Sequence, residues 1–146
     1  MSKSSIPDGT YTITKWNRPI GIAPTPQGPS GEAIVLGQAT HWGVRKGPGE
    51  SEGYIISDEE KVVVNLNGGI AILPFEQARE GRLPFLWEIW RSEPMKYSIV
   101  SVQKGEAGEM LAWRVSGRAP GDSVQLEVLE GAAAQNQVFR IDEVRA

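Results

Sequence analysis

A tripeptide of tyrosine, any residue and isoleucine occurs three times at equal spacing, and it constrains the fold of this chain most. The copies begin at Tyr11, Tyr54 and Tyr97, so each interval is 43 residues. A second motif, in which an aromatic residue is followed two positions later by a branched aliphatic one, also recurs: Trp42-Gly43-Val44, Trp87-Glu88-Ile89 and Phe139-Arg140-Ile141. A period of this length indicates one supersecondary unit in three copies, none of which can bury its apolar face alone. The three units must therefore share one core.

Each unit has the composition of short strands joined by turns. The 146 residues include 17 Gly and 10 Pro at short intervals, and long stretches with helical periodicity are missing, so we expect little helix. Alternating and β-branched segments predict four strands per unit. The twelve strands are expected at 10–15, 20–23, 33–36, 41–45, 54–56, 62–64, 70–73, 85–90, 97–102, 111–115, 124–129 and 138–144. Residues 76–82 are expected to form a polar loop.

Three units of four strands select between two known architectures. A propeller blade has four strands and a similar period, but propellers close with about four to eight blades, and three leave no ring. In a β-trefoil, two strands of each unit form a closed six-stranded barrel and the other two form a capping hairpin, so no open sheet edges remain. We predict an all-β protein, a β-trefoil of twelve strands in three pseudo-repeats of about 43 residues. A single domain over residues 9–146 would follow a flexible N-terminal tail over residues 1–8.

Composition excludes several classes of function. The chain has no cysteine, so a disulfide framework, a thiolate metal site and a cysteine nucleophile are all ruled out. The net charge is −3 and the charged residues are interspersed, whereas a nucleic-acid binder should cluster Lys and Arg on one face. The N-terminus lacks an apolar signal region and no later run approaches a membrane span. We therefore expect a cytoplasmic protein with no nucleic-acid and no membrane partner.

The sequence contains few candidate residues for catalysis or metal binding. The single histidine, His41, directly precedes Trp42, and spacing supplies neither a nucleophile nor an orienting group for it. The acidic run Asp58-Glu59-Glu60 lacks the pattern of a calcium loop. The glycine-rich stretch 65–69 would bind phosphate only before a helix, and a strand is predicted there. We expect no enzymatic activity, no metal and no cofactor.

The most distinctive connection is Pro24-Thr25-Pro26-Gln27-Gly28-Pro29-Ser30, between the second and third strands. Its prolines remove hydrogen-bond donors and its glycine breaks what regular structure remains. One interpretation is an ordinary long loop. The other is a stiff recognition loop, because prolines lower the entropy lost when a loop is ordered on a partner. In that case Gln27, at the apex, is the side chain that would enter a protease specificity pocket.

A second candidate loop is the turn that contains Trp16, Asn17 and Arg18. Pro19 fixes φ and Asn17 tolerates a left-handed conformation, so a tight turn is expected. Trp16 beside Arg18 could be an exposed contact aromatic of the kind found at binding hot spots. The alternative is that Trp16 closes the bottom of the barrel.

Three stretches carry a resemblance to a known family: Asp8-Gly9-Thr10-Tyr11-Thr12-Ile13, the second strand Ile20-Gly21, and the closing Val138-Phe139-Arg140-Ile141. Together they resemble the fungal β-trefoil serine protease inhibitors of the cospin type, which show a Gly-x-Tyr-x-Ile start, a Val-Gly second strand and a Phe-x-Ile end. The resemblance covers the whole chain in layout, through short motifs. It implies a cytosolic mushroom defence protein whose reactive loop lies between the second and third strands, here Ala23 to Glu32. Because this loop contains no Lys or Arg, strong inhibition of trypsin-like enzymes is not expected.

The sequence thus predicts a protease inhibitor, of serine proteases, that blocks the active site with a stiff loop, and three alternatives stay open. Ricin-B-like lectins carry a Gln-x-Trp motif in each module. This chain has only Gln137-Val138-Phe139, with Thr40-His41-Trp42 and Phe85-Leu86-Trp87 at the equivalent places, so a glycan partner is the first alternative. Clitocypin-type cysteine protease inhibitors use the first-to-second-strand turn among other loops, here Trp16 to Pro19. The third alternative is a purely structural or partner-binding trefoil.

Overall fold

The computed structural model describes residues 2–23, 33–48, 53–66, 68–115, 117–129 and 137–144. In these ranges the chain forms strands and one short helix, in the following order: β1 (Ser2–Lys3), β2 (Gly9–Lys15), β3 (Arg18–Ile22), β4 (Ile34–Leu36), β5 (Trp42–Lys46), β6 (Tyr54–Asp58), β7 (Lys61–Leu66), β8 (Gly69–Pro74), α1 (Phe75–Glu80), β9 (Leu86–Glu93), β10 (Lys96–Ser101), β11 (Leu111–Val115), β12 (Val124–Val128) and β13 (Arg140–Glu143). Strands β2 to β13 correspond to the twelve predicted strands, four per repeat.

Six of the strands close into a barrel. Antiparallel pairing runs from β13 to β2, then through β5, β6 and β9 to β10. The ring is completed where β10 meets the start of β13: the Tyr97 N–H donates to the Phe139 carbonyl at 2.8 Å, and the Phe139 N–H donates to the Tyr97 carbonyl at 2.7 Å. Closure leaves no open barrel edge in this ring.

Six further strands form three hairpins that cap one end of the barrel. These hairpins are β3–β4, β7–β8 and β11–β12. Their second strands, β4, β8 and β12, contact one another, so one member of each repeat meets in the cap. A closed six-stranded barrel with three capping hairpins is the β-trefoil, and the predicted fold class is confirmed.

The repeated residues converge in one hydrophobic core, as the threefold pattern predicts. Tyr11 and Tyr54 are buried, and Tyr97 is half-buried against the same cluster. Burial is the main cause that raises the pKa of the Tyr11 phenol above its ordinary value, and the Glu143 carboxylate is the second. The Tyr54 and Tyr97 phenols act in the same direction with smaller effects.

The third repeat differs from the other two in where it places its indole. In the first two repeats the indole N–H of the repeated tryptophan donates to the hairpin strand: Trp42 Nε1 to the Ile20 carbonyl at 3.0 Å, and Trp87 Nε1 to the Val63 carbonyl at 2.9 Å. The third repeat has Phe139 at this position and carries Trp113 on its own hairpin strand, β11. The Trp113 ring packs edge-to-face on Trp87 at 5.8 Å and on Phe139 at 6.1 Å.

Having Phe139 at the repeated position and Trp113 on the hairpin fills the core, but it leaves the Trp113 indole N–H without a hydrogen bond among the described residues. Trp113 is fully buried, and its Nε1 has no hydrogen-bond partner. A buried N–H without a partner carries its desolvation cost uncompensated, about 1–3 kcal/mol. The third repeat therefore contributes aromatic packing at a cost that the first two repeats avoid.

We predict that Trp87→Phe destabilises the protein more than Trp113→Phe. Both substitutions remove the same atoms from a buried site, but the first also strips the Val63 carbonyl of its donor, whereas the second removes an unpaired donor. The free energies of unfolding, measured in urea, should differ by about 1–2 kcal/mol. Equal losses, or a larger loss for Trp113→Phe, would contradict this description of the core.

A short helix replaces the polar loop predicted at residues 76–82, and that prediction was wrong. Helix α1 begins at Phe75, directly after Pro74, and ends at Glu80. Ala78 is fully buried against the hydrophobic cluster under β7 and β8. Phe75, at the first helical position, is partly buried against the same cluster. Two apolar contacts in six residues give too little periodicity for a helix to be recognised from sequence.

The N-terminal segment runs along the barrel. Strand β1 pairs with Trp90 and Arg91 of β9, the Lys3 ammonium lies 2.9 Å from the Glu88 carboxylate, and the Ile6 N–H donates to the Tyr54 hydroxyl at 2.9 Å. The segment therefore has defined contacts, and its predicted flexibility stays a prediction. No helix among the described residues has the length and apolarity needed to cross a membrane.

Candidate functional site

The predicted recognition loop, Pro24 to Ser30, lies outside the described residues, but both ends of its connection are described. Strands β3 and β4 pair in register up to Ile22 and Ile34. One further backbone bond follows, from the Ala23 N–H to the Ala33 carbonyl at 2.9 Å. The connection over residues 24–32 is therefore attached to the hairpin at two directly opposed residues, Ala23 and Ala33.

The hairpin below this connection is fixed by close packing. A Cβ on Gly21 would collide with the Gln38 carbonyl oxygen and the Thr40 hydroxyl, so only glycine allows the strand to approach that segment. The Thr40 hydroxyl accepts a hydrogen bond from the Ile22 N–H at 3.1 Å. The loop base is thus held by backbone pairing on one side and by the 38–40 segment on the other.

The third repeat also holds this hairpin. The Leu36 N–H donates to the Asp122 carbonyl at 2.9 Å, and the Leu36 carbonyl accepts from the Gly121 N–H at 2.7 Å. Val35 forms an isolated bridge with Ser123. The hairpin that carries the predicted loop is therefore fastened to a neighbouring hairpin of the trefoil cap.

The second candidate loop is a two-residue turn between β2 and β3. Trp16 and Asn17 both have positive φ, 51° and 61°, which is typical of a type I′ hairpin turn. Asparagine tolerates this conformation, but for a bulky residue such as tryptophan it is uncommon and strained. The surrounding contacts must therefore hold Trp16 in place.

Those contacts are an apolar surface and two cations. Trp16 is half-buried against the main hydrophobic cluster. The Lys15 ammonium lies 4.8 Å from the Trp16 ring centroid, and the Arg118 guanidinium lies 4.7 Å from it. Distances of this kind are typical of cation–π attraction, which contributes about 0.5–2 kcal/mol per pair. Trp16 is thus neither fully exposed nor a buried plug: it lies at the boundary between core and solvent.

The sequence singles out Trp16, but it does not predict the two cations beside the ring. Lys15 is the last residue of β2, and its side chain points inward because alternate residues of this strand are buried. Arg118 belongs to the connection between β11 and β12, in the third repeat. No local sequence signal connects Arg118 to Trp16, because only the trefoil closure brings the two turns together.

Lys15 is a buried cation in an electropositive setting. Its side chain is 8% exposed, and its Nζ donates to the Val138 carbonyl at 2.6 Å. Burial, followed by the positive charges of Lys96 and Arg118, lowers the pKa of Lys15 from its ordinary 10.5 to about 8. The charged form of Lys15 is therefore disfavoured in the folded protein relative to the unfolded chain.

We predict that Lys15 makes the protein more stable as the pH rises above about 8. Between the two pKa values the unfolded chain binds more protons than the folded protein, so deprotonation favours folding. Urea unfolding at about pH 7 and about pH 9.5 should show the wild type gaining on the order of 1 kcal/mol relative to Lys15→Met. Both measurements are made below pH 10, because above that pH the raised pKa of Tyr11 makes the stability fall as the pH rises. A constant difference between the two proteins would contradict the assignment.

The structure does not bring the two candidate loops together. The turn at Trp16 and Asn17 enters β3, and the connection over residues 24–32 leaves it at the other end. A strand of five residues spans about 15 Å. The two predicted loops are therefore attached at opposite ends of one hairpin strand.

The residues of the lectin alternative have structural roles here. The Gln137 side chain is 1% exposed, and its amide nitrogen donates to two backbone carbonyls of β12, those of Glu127 at 3.3 Å and Val128 at 3.0 Å. Phe139 lies fully in the core. The degenerate Gln-x-Trp motif thus connects the segment before β13 to the third hairpin. Both side chains are buried, so neither is accessible to a sugar.

The described residues hold few groups suited to catalysis or metal binding. His41 is exposed at the start of β5, and no group of three or more His, Cys, Asp or Glu side chains within the described ranges could hold a metal ion. Two open surface clefts have cavity volumes of about 430 and about 730 Å³. The first contains Glu59, Glu60 and Phe75, and the second contains Lys104 and Glu109. Neither of these two clefts includes the predicted loops.

Comparison with solved structures relates the chain to several β-trefoil proteins. A proteinase inhibitor from Coprinopsis cinerea superposes with a TM-score of 0.72 and 16% sequence identity, covering 96% of this chain and 100% of the inhibitor. A mosquitocidal holotoxin gives 0.71 and 10% identity, covering 97% of this chain but 18% of the toxin. The designed threefold-symmetric protein ThreeFoil gives 0.68 and 15% identity, covering 94% of this chain and 100% of the design. No protein-family model and no curated protein sequence matches the chain. At these identities the likeness shows the fold.

Proposed function

We propose that this protein is a protease inhibitor that acts on serine proteases and occludes the active site reversibly with the loop Pro24 to Ser30. The observation that carries the proposal is the anchored base of this connection. The Ala23–Ala33 hydrogen bond and the β3–β4 pairing fix both ends of the segment that includes the loop. The chain itself performs no chemistry in this mechanism.

A fixed base and a proline-rich sequence both reduce the entropy cost of binding. Ordering a flexible loop on a partner opposes association, and restricting the loop beforehand removes part of that cost. Prolines restrict the conformations of an unbound loop, and Gly21 packs closely against the 38–40 segment at the base of this one. A loop of this kind suits standard-size protease–inhibitor interfaces, which bury about 1,600 Å².

The likeness to the Coprinopsis cinerea proteinase inhibitor supports this class of function. It covers 96% of this chain and 100% of the inhibitor, so the two proteins share the fold from which such loops project. Because a trefoil can carry unrelated functions, the loop sequence and its anchored base support inhibition together with this likeness.

The loop sequence also limits the target protease. Between residues 23 and 33 there is neither Lys nor Arg, so the loop offers no cation to the acidic specificity pocket of a trypsin-like enzyme. Gln27 is the side chain that the loop would present at its apex. We therefore propose a serine protease that accepts an uncharged polar or small side chain.

Replacing Pro26, Gln27 and Gly28 together by alanine should abolish inhibition and leave the fold intact. We expect the inhibition constant for the target protease to rise at least a hundredfold, roughly 2.7 kcal/mol, since the loop loses both its presented side chain and its stiffness. The melting temperature should change by less than about 2 °C, because substitutions in a polar, proline-rich loop usually change the free energy of unfolding by less than about 0.5 kcal/mol.

A matched control uses another loop. Gln103→Ala combined with Lys104→Ala changes two exposed residues between β10 and β11 and should leave the inhibition constant within about twofold, as surface changes far from an interface do. Retained inhibition by the triple-alanine variant would eliminate the proposed loop.

A panel of serine and cysteine proteases, run beside a glycan array, tests the class of function itself. Submicromolar inhibition of a serine protease together with a blank array is the expected result. Binding to glycans without inhibition, or inhibition of cysteine proteases alone, would overturn the proposal.

A further inference from the structure

Two turns from different repeats form one electropositive surface around Trp16. The turn between β2 and β3 carries Trp16 and Arg18, and the connection between β11 and β12 carries Arg118. The Arg118 guanidinium lies 4.7 Å from the Trp16 ring centroid, although about a hundred residues separate them in the sequence. We call Trp16, Arg18 and Arg118 the Trp16 patch.

The two arginines of the Trp16 patch carry uncompensated charge. Arg18 and Arg118 are exposed, and within the described part of the chain neither is paired with a carboxylate. Two other exposed arginines are paired with carboxylates: Arg79 with Glu76 at 2.6 Å, and Arg140 with Asp142 at 2.7 Å. Unpaired arginines on a chain whose net charge is −3 form a local positive field that opposes the overall charge.

Further positive charge lies directly behind the patch. Lys15 is buried below Trp16, with its Nζ 4.8 Å from the ring centroid, and its hydrogen bond to the Val138 carbonyl holds it there. Lys96 is near enough to contribute, with Arg118, to lowering the pKa of Lys15, although burial is the larger cause. A negatively charged group bound at the patch would offset this mutual repulsion.

The tryptophan is held in advance of any partner. Its positive φ of 51° is maintained by the tight turn, by core packing and by two cations. A fixed aromatic ring beside an arginine has the composition of interface hot spots, and side chains that are already ordered lose less entropy on binding.

We propose that the Trp16 patch binds an acidic segment of a partner protein, with aspartate or glutamate carboxylates on Arg18 and Arg118 beside the Trp16 ring. The planar guanidinium donates two parallel N–H···O bonds to a carboxylate. Two exposed arginines match a short acidic segment better than a long polyanion such as nucleic acid, which requires an extended basic surface.

The Trp16 patch lies at the start of β3, whereas the connection that contains the proposed inhibitory loop leaves the other end of that strand. Binding of an acidic segment at the patch therefore does not depend on protease inhibition. A failure of either proposal leaves the other intact.

The test is the binding of a fluorescein-labelled hexaglutamate peptide to the full chain, followed by fluorescence anisotropy at low ionic strength. Arg118→Gln should weaken binding roughly tenfold, the effect of losing one charge-assisted contact of about 1.4 kcal/mol. Arg118→Lys keeps the charge without the two-pronged geometry and should weaken binding by about threefold. Arg79→Gln, an exposed arginine paired with its own carboxylate, is the matched control and should change binding by less than about twofold.

Specificity is measured with two further probes, a hexalysine peptide and a heparin oligosaccharide. No binding of hexalysine, and weaker binding of heparin than of hexaglutamate, are the expected results. Equal losses for Arg118→Gln and Arg79→Gln would overturn the proposal, since binding would then follow net charge alone. Tighter binding of heparin than of the peptide would also overturn it and assign the patch to sulfated glycans. Unchanged melting temperatures confirm that each variant is folded.

Discussion

The antiparallel pairing of β13 with β2 is the constraint on which the rest of the structure depends. It joins Arg140 to Thr14 and Glu143 to Tyr11, and the Val144 N–H extends it by donating to the Thr10 carbonyl at 2.8 Å. Contacts over such long sequence separation must overcome a loop-closure entropy that rises only slowly with length. Together with the bridge between Tyr97 and Phe139, they remove the last two open edges of the barrel. The three hairpins then have a common base on which to pack, and the loops between their strands acquire fixed ends.

The fold was predictable because the repeated positions are occupied by large apolar side chains. Tyr11, Tyr54 and Tyr97 mark the register of the repeats, and residues of that size at equal intervals have few ways to be buried together. Helix α1 was missed because it is short and packs through two residues, Phe75 and Ala78, and those tertiary contacts exist only in the folded protein. The surroundings of Trp16 could not be predicted for a similar reason: Arg118 reaches Trp16 through the cap, and no local pattern encodes contacts of that range. The candidate loop itself could be recognised from its prolines, whereas the anchorage of its base by Gly21 and Thr40 required the structure.

The same architecture supports several functions, and the loops are where they differ. The solved structures that resemble this chain include a proteinase inhibitor, a part of a mosquitocidal toxin and a designed protein. A closed barrel tolerates this variety because its stability comes from the core and its connections lie on the surface. In the present chain, strand β3 separates two such surfaces: the anchored base of residues 24–32 at one end and the strained turn at Trp16 at the other. Each is positioned by contacts with another part of the cap, so both depend on the closed barrel.

Hydrogen exchange of individual backbone amides, followed by NMR under conditions where exchange reports the opening equilibrium, tests the role of barrel closure most directly. If closure unites the three repeats, the amides of β2 and β13 exchange only through global unfolding. Their opening free energies should then agree, within about 1 kcal/mol, with those of β6 and with the value from urea unfolding. Amides of β13 that open several kcal/mol more easily than those of β6 would show that the barrel holds together without its last strand, and would contradict the account.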